Sequence, residues 1–379
     1  MTLLEATEIA GGSSGKAGGL VAEWATPKCL APLSFQQHAE LAKLHGGDKL
    51  WGHRFVYCAE VELEAHDLDR ADEPGKKESA SYPSGLNWLA PGVLKSYEEI
   101  GKPKNSAQVN PYMYTTAMAR LAEEKGARVI IGNATRINYS SDGKAVESVD
   151  YVQDGEKEQL SATDIIVAAG PWTPRVLAEV TLLTPRGHSV VVKPTKDMSP
   201  YVLFPTITAA EDSGLDGVIS PELYPRPGDA MYDFDTVYTS SPDDYEVDLP
   251  SGTGDVLVDE QKCEDVWTAV KSVSQEIHDG EILRRQACYK PQIREHEDGE
   301  EVGPMVGPMD VRGLWLATGH DEWGMSNAPG TGLIMSEMVF EGRAHSTDAQ
   351  SLDPKHLLKP PKGVEQRGWD QGLLNGERG

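Results

Sequence analysis

The residues best placed to do chemistry lie in the last fifth of the chain, where GLWLATGHDEWGMSNAPGTG (313–332) runs into LIMSEMVFEG (333–342). An apolar run, then a stretch dense in Gly, Ser, Asn and Pro, then a helical pattern reads as strand, glycine turn, helix. The first N–H groups of a helix have no intrahelical partner and carry partial positive charge, so such a turn is aimed at an anion such as phosphate. Glycine lets the main chain approach that ligand closely. An ordinary strand-to-helix turn uses the same residue types. A second glycine-rich tract, EIAGGSSGKAGGL (8–20), follows the apolar start TLLEA (2–6). It reads either as a flexible loop or as another close-approach segment. Between these two, RRQACYKPQIRE (284–295) gathers Cys288, Tyr289, Lys290 and Arg294 at the end of a strand-like run.

Several elements must position these groups. SFQQHAELAKL (34–44) has a helical pattern, and His38 and His45 read as surface histidines beside a polar face. RFVYCAEVELEAH (54–66) alternates as a strand does, and the polar, turn-rich ADEPGKKESASYPSG after it reads as a loop. Asn110 before Pro111 is an N-cap with proline at the first helical position, and Gly126 ends that helix before the strand ARVIIG. IIVAAGPW (165–172) is expected to be a buried strand over 165–169, closing on Gly170, Pro171 and Trp172. TPRGHSVVVKP (184–194) is another strand, 201–249 reads as short antiparallel strands, and 258–277 as a helix. From His345 the chain is polar and proline-bearing, as a tail or surface wrap would be.

The chain has 379 residues, 39% hydrophobic and 25% charged, enough for two compact domains. Its net charge of -25 repels phosphate backbones and anionic lipid, which argues against a nucleic-acid or membrane-surface partner. No apolar run approaches the ~20 residues that span a bilayer, and no signal segment opens the chain, so a cytoplasmic location is the expectation. The four cysteines, Cys29, Cys58, Cys263 and Cys288, have no CxxC or metal-ligand spacing, and reduced thiols with no metal site are expected.

Taken in order, TLLEA, GGSSGKAGGL, IIVAAGPW, TPRGH, CYKPQIRE and GHDEWGMSNAPGTG resemble landmarks of the FAD-dependent oxidoreductases related to D-amino acid oxidase, glycine oxidase and sarcosine oxidase. The resemblance runs from Leu3 to about Gly342 and looks most like fungal cytosolic members linked to endosome-to-Golgi retrograde traffic. It implies an α/β fold: a Rossmann-like FAD-binding domain (1–35, 108–182, 303–345), an inserted antiparallel-sheet α+β substrate domain (36–107, 183–302) and a polar tail (346–379). The family's first strand, GxGxxG turn and first helix have no counterpart, since the ribose-binding acid, here Glu5, normally follows those glycines by about 20 residues.

The resemblance also assigns roles. Glu5 would hold the adenosine ribose; Gly12, Ser13 and Ser14 would pass the pyrophosphate, and Gly18 and Gly19 the ring. Ala169, Gly170 and Trp172 would face the dinucleotide. Gly319, His320, Gly324, Ser326, Asn327, Gly330, Thr331 and Gly332 would lie along the flavin. Lys290 stands where the family usually has the arginine that clamps a substrate carboxylate; a lysine lacks that bidentate fork, and Arg294 is the alternative. Tyr289 would pack beside the ring or bond a carboxylate, or simply fill the core, and His320 would sit near the ring edge or be an ordinary loop histidine. Cys288 reads as a buried thiol before it reads as a covalent flavin tether, so non-covalent FAD is expected. Lys193 would help oxygen chemistry or be exposed. The implied activity is oxidation of a C–N bond of an amino acid or secondary amine, with oxygen as acceptor. The alternative is a weakly catalytic or non-catalytic protein acting through trafficking partners, including association with endosomes.

Overall fold

The computed structural model describes residues 1–69, 83–210, 213, 215, 217–293 and 303–358. The strands used below, labelled in chain order, are β1 (Thr2–Glu5), β2 (Tyr57–Ala65), β3 (Leu94–Gly101), β4 (Arg128–Ile131), β5 (Ile165–Val167), β6 (Arg186–Lys193), β7 (Tyr201–Ala209), β8 (Glu222–Arg226), β9 (Thr236–Ser240), β10 (Glu281–Tyr289), β11 (Met305–Pro308) and β12 (Leu314–Thr318). The principal helices are α1 (Ala31–His45), α2 (Pro111–Glu124), α3 (Glu260–Lys271) and α4 (Gly324–Glu341).

An eight-stranded sheet in the order β10-β6-β9-β8-β7-β2-β3, with Val218–Ile219 added to β7, dominates the molecule. Its pairs are antiparallel except β7 with β2, which run parallel through nine residues from Tyr201 opposite Tyr57 to Ala209 opposite Ala65. Within 201–249 the strands pair antiparallel with one another, as the sequence suggests; the parallel partner of β7 lies some 140 residues upstream, beyond the reach of local pattern. One face of the sheet buries Val190, Val192, Leu203, Leu223 and Val237 against Cys263 and Val270 of α3. The other face carries Val191, Tyr224 and Tyr238, which pack on Leu20 and Ala22 beyond the glycine-rich tract. A single sheet is therefore covered by a helix on one side and by the N-terminal glycine segment on the other.

The parallel part of the fold is in two pieces. β1 pairs with β4, and β5 pairs with β12, which β11 joins in antiparallel fashion. No ladder links the two pieces among the described residues. Ile165–Ala169 is only partly a strand, β5 ending at Val167, and it is buried on one side alone: Val167 joins the core while Ile166 is 44% exposed, as Leu3 of β1 is 42%. These edge strands lack a covering neighbour on that side, which is why apolar residue types stay in solvent there.

Local signals explain the helices. Asn110 Oδ1 accepts from the Met113 N–H at 3.4 Å, Pro111 opens α2, and Gly126 beyond its end takes φ +91°. Two readings of helices are corrected. His38 is fully buried on the α1 face formed by Ala31, Ser34, His38 and Ala42; small and polar types make up that face, so hydropathy does not reveal it. The segment 319–332 is not a long loop before a helix, because α4 already begins at Gly324 and contains Ser326, Asn327 and Gly330. Beyond α4 the chain stays packed: Leu352 is fully buried, and the Thr347 hydroxyl donates to the Cys29 carbonyl at 2.7 Å. Among the described residues no helix is long and apolar enough to cross a membrane, and no three His, Cys, Asp or Glu side chains group as metal ligands would.

Candidate functional site

The inward face of the large sheet meets two segments, the glycine tract and the turn before α4, and a polar cluster forms between them. On β10, Cys288 pairs with Gly187 and Tyr289 with Arg186, so alternation sends Cys288 inward and Tyr289 the other way. Tyr289 is buried, and its hydroxyl donates to the Asp248 carbonyl at 3.0 Å. Tyr289 therefore packs in the core on the far face, one of the placements the sequence leaves open. Lys290, just past β10, returns inward: its Nζ lies 2.7 Å from Asp243 and 3.5 Å from Glu322, and these carboxylates hold its pKa above the usual lysine value despite burial. Asp321, at the same turn, adopts φ +46° and takes the Gln292 side-chain N–H at 3.2 Å. Arg294 lies outside the described residues.

Neighbouring strands add charge and aromatic rings to this face. Glu222 of β8 accepts from Ser240 Oγ at 3.2 Å, and burial pushes its carboxyl pKa up. Tyr224 and Tyr238 meet edge to face at 5.7 Å, and burial raises both phenols. Trp24 and Trp323 form a second edge-to-face pair, 5.6 Å apart, beside the same cluster. Arg226 is buried with its guanidinium over Tyr238 at 4.6 Å, and it donates to the carbonyls of Ala17 and Gly18, tying the glycine tract to the sheet. The sequence reading missed Glu222, Tyr224, Arg226 and Asp243; only the alternation within LYPRP and TVYTS hints at them, and their approach to Lys290 depends on non-local pairing. Burial pushes the Cys288 thiol up to about 11, so thiolate is disfavoured there. Lys193 is engaged elsewhere, over the Phe234 ring at 4.1 Å.

The glycine-rich positions fall into two groups. A Cβ on Gly18 would lie 2.7 Å from the Tyr224 ring, and Gly19, at φ +94°, sits against the Val109 carbonyl, so both serve close packing within the protein. Ser326 Oγ accepts from the Ala22 N–H at 3.2 Å, Asn327 donates to the Thr26 carbonyl at 2.7 Å, and Gly330 packs on Ser34. Thr331 pairs with His320 Nε2 at 3.0 Å, and burial lowers the His320 pKa to about 4, leaving a neutral ring. Gly319, at φ +77°, faces Ile293, and Gly324 starts α4 beside His320.

The remaining positions collect at the carboxyl ends of the parallel strands. Glu5 closes β1 and accepts from the Thr7 N–H at 3.0 Å; Gly12, Ser13 and Ser14 follow. Beyond β5, Gly170 takes φ +51°, and nothing stands within 4 Å of where its Cβ would be. Open space beside main chain at one strand's carboxyl end, with the Glu5 carboxylate closing a strand of the other parallel pair and able to accept ribose hydroxyls, is compatible with a dinucleotide. The segment 249–255 shares this mouth. Trp172 Nε1 donates to Pro250 O at 2.8 Å, Arg175 to Ser251 O at 2.8 Å, and the Thr253 and Thr7 hydroxyls meet.

Comparison with known proteins agrees with this architecture. The family described as FAD dependent oxidoreductase (DAO) matches residues 1–338. A Schizosaccharomyces pombe protein with a provisional oxidoreductase name is 29% identical, over 95% of this chain and 91% of its own. A similarly named Saccharomyces cerevisiae protein is 25% identical, over 94% and 88%. Glycine oxidase from Geobacillus kaustophilus shares the fold with a TM-score of 0.63 at 20% identity, over 93% of this chain and 90% of that one.

Proposed function

Because the chain belongs to the family of FAD-dependent oxidoreductases, we propose that it holds FAD without a covalent bond and oxidises a C–N bond of a small amino acid or secondary amine. The match over residues 1–338 carries this reading, and the Lys290-centred cluster on the inward sheet face supports it. The net reaction joins substrate amine, oxygen and water to give a carbonyl compound, the freed amine and hydrogen peroxide. When bound, the cofactor supplies a two-electron acceptor. Glu5, Gly12, Ser13, Ser14, Ala169, Gly170 and Trp172 would hold its nucleotide portion. Gly319, His320, Gly324 and the start of α4 would border its ring. The raised thiol pKa of Cys288 supports non-covalent attachment.

The chain's own residues bind and orient the substrate. Lys290, Glu322 and Glu222 set the charge around its amine, while Tyr224, Tyr238 and Trp323 supply apolar walls that displace water. Asp243 at 2.7 Å occupies the Lys290 ammonium and so weakens it as a carboxylate clamp. By weakening that clamp, the pairing also suits a second reading, a weakly catalytic protein that would act through trafficking partners at endosomes. A panel of amino acids, N-methyl amines and simple amines, scored for peroxide release, tests the first. Release with at least one is expected; silence with all, alongside a stable protein partner, favours the second. The domain ranges 1–35, 108–182 and 303–345 for cofactor, and 36–107 and 183–302 for substrate, belong to this proposal, as does a cytoplasmic location.

A further inference from the structure

The class of substrate turns on the charges around Lys290, given the amine-oxidising reading above. Asp243 and Glu322 contact its Nζ at 2.7 Å and 3.5 Å. Asp321, one residue before Glu322, keeps a buried Oδ1 with no hydrogen-bond partner. Glu222 stands on the same inward face, held by Ser240. Four carboxyl groups thus surround one ammonium. Burial makes Glu222 and Asp321 the readier of the four to hold a proton, yet Asp243 alone already cancels Lys290.

Two other cations of this face are engaged by main chain. Lys16 Nζ donates to Ala287 O at 3.3 Å, at the sheet edge. Arg226 is buried, and both its Nε and Nη2 are taken up by the carbonyls of Ala17 and Gly18. Arg284, on the same face, is exposed and reaches only Met231 Sδ at 3.8 Å, so among the described residues the cation in contact with Asp243 and Glu322 is Lys290. A carboxylate brought to Lys290 would have to displace Asp243 or lie within a few ångströms of like charge. An ammonium meets the opposite situation: carboxylates to pair with, and the Trp323, Tyr224 and Tyr238 rings beside them. Carboxylates with aromatic faces are the composition that recognises alkylammonium groups.

We propose that this site takes small amines carrying no carboxylate, the amine facing Asp243 and Glu322, with Lys290 as the fixed counter-ion of the site. The preference comes from charge balance, so it is tested with pairs of ligands that differ only in the carboxylate: methylamine against glycine, dimethylamine against sarcosine, and benzylamine against phenylglycine. Calorimetric titration of the purified full-length chain with added FAD reads binding without relying on turnover. The amine of each pair is expected to bind at least about tenfold tighter than its amino acid. Asp243→Asn releases Lys290, and is expected to narrow or reverse the gap by about tenfold, chiefly through tighter amino-acid binding. Equal or tighter binding of the amino acids by the unaltered chain overturns the proposal. So does failure of both members of every pair to bind. Flavin absorbance of the same samples reports separately on the oxidoreductase reading, which stands when the chain is yellow even if this substrate preference fails.

Discussion

At the scale of single residues, His38 shows how chemistry hides in a polar-looking stretch. Its Nε2–H donates to the Met325 carbonyl at 3.0 Å, its ring lies 4.8 Å from that of Tyr114, and its Nδ1 has no partner. Burial, with a small contribution from nearby His53, lowers its pKa from 6.5 to about 4. The sign follows from proton counting. Between those values the unfolded chain takes up a proton that the folded chain refuses, so stability falls as pH falls from 6.5 towards 4, by about 1.4 kcal/mol per unit. Above pH 6.5 this residue contributes no pH dependence. Urea unfolding at pH 7, 6 and 5 is expected to show the decline, and His38→Gln is expected to flatten its slope; an unchanged slope removes the buried-neutral assignment. Lys290 was legible because YKP occupies a recognisable place. Asp243 was not, since a lone aspartate in a turn-rich stretch gives no sign of which cation it will meet.

At the scale of elements, the glycines of α4 can be separated by what they touch. Gly330 gives its N–H to Ser34 Oγ at 3.2 Å, and a Cβ there would collide with that oxygen. Gly330→Ala therefore pushes α1 and α4 apart and is expected to destabilise by about 1–3 kcal/mol. Gly332 has no atom within 4 Å of a Cβ, so Gly332→Ala is expected to stabilise by up to ~1 kcal/mol through helix propensity. Thermal melts of the two variants in opposite directions check the packing; a shared direction contradicts it. Glycine content is what made 319–332 read as a loop, although the glycines serve helix contact. By contrast α2 was legible to its cap, because Asn-Pro at the start and Gly past the end act within a few residues. The join between β6 and the 244–257 segment rests on a buried ion pair, Arg186 to Asp244 at 2.8 Å, with Lys262 at 3.1 Å and the Arg186 bond holding the carboxyl well below its usual range. Asp244→Ala strands that guanidinium and is expected to cost about 3–5 kcal/mol in denaturant unfolding, whereas Arg186→Met with Asp244→Leu is expected to cost less. A single substitution no worse than the double contradicts a pair held by mutual charge.

At the scale of the molecule, the order of motifs identified the family, while pairing between distant segments decided the site. The eight-stranded sheet draws strands from residues 57–101 and 186–289 and sets β7 parallel to β2, and no local periodicity encodes either fact. That sheet brings Glu222, Tyr224, Tyr238 and Lys290 to one face, opposite the Asp321–Trp323 turn. The central claim is that the whole chain holds FAD. It is tested by incubating the purified protein with FAD, removing free cofactor by dialysis and recording the visible spectrum. Bands near about 370 and 450 nm at roughly one FAD per chain are expected. A protein that stays folded and colourless after excess FAD contradicts the claim.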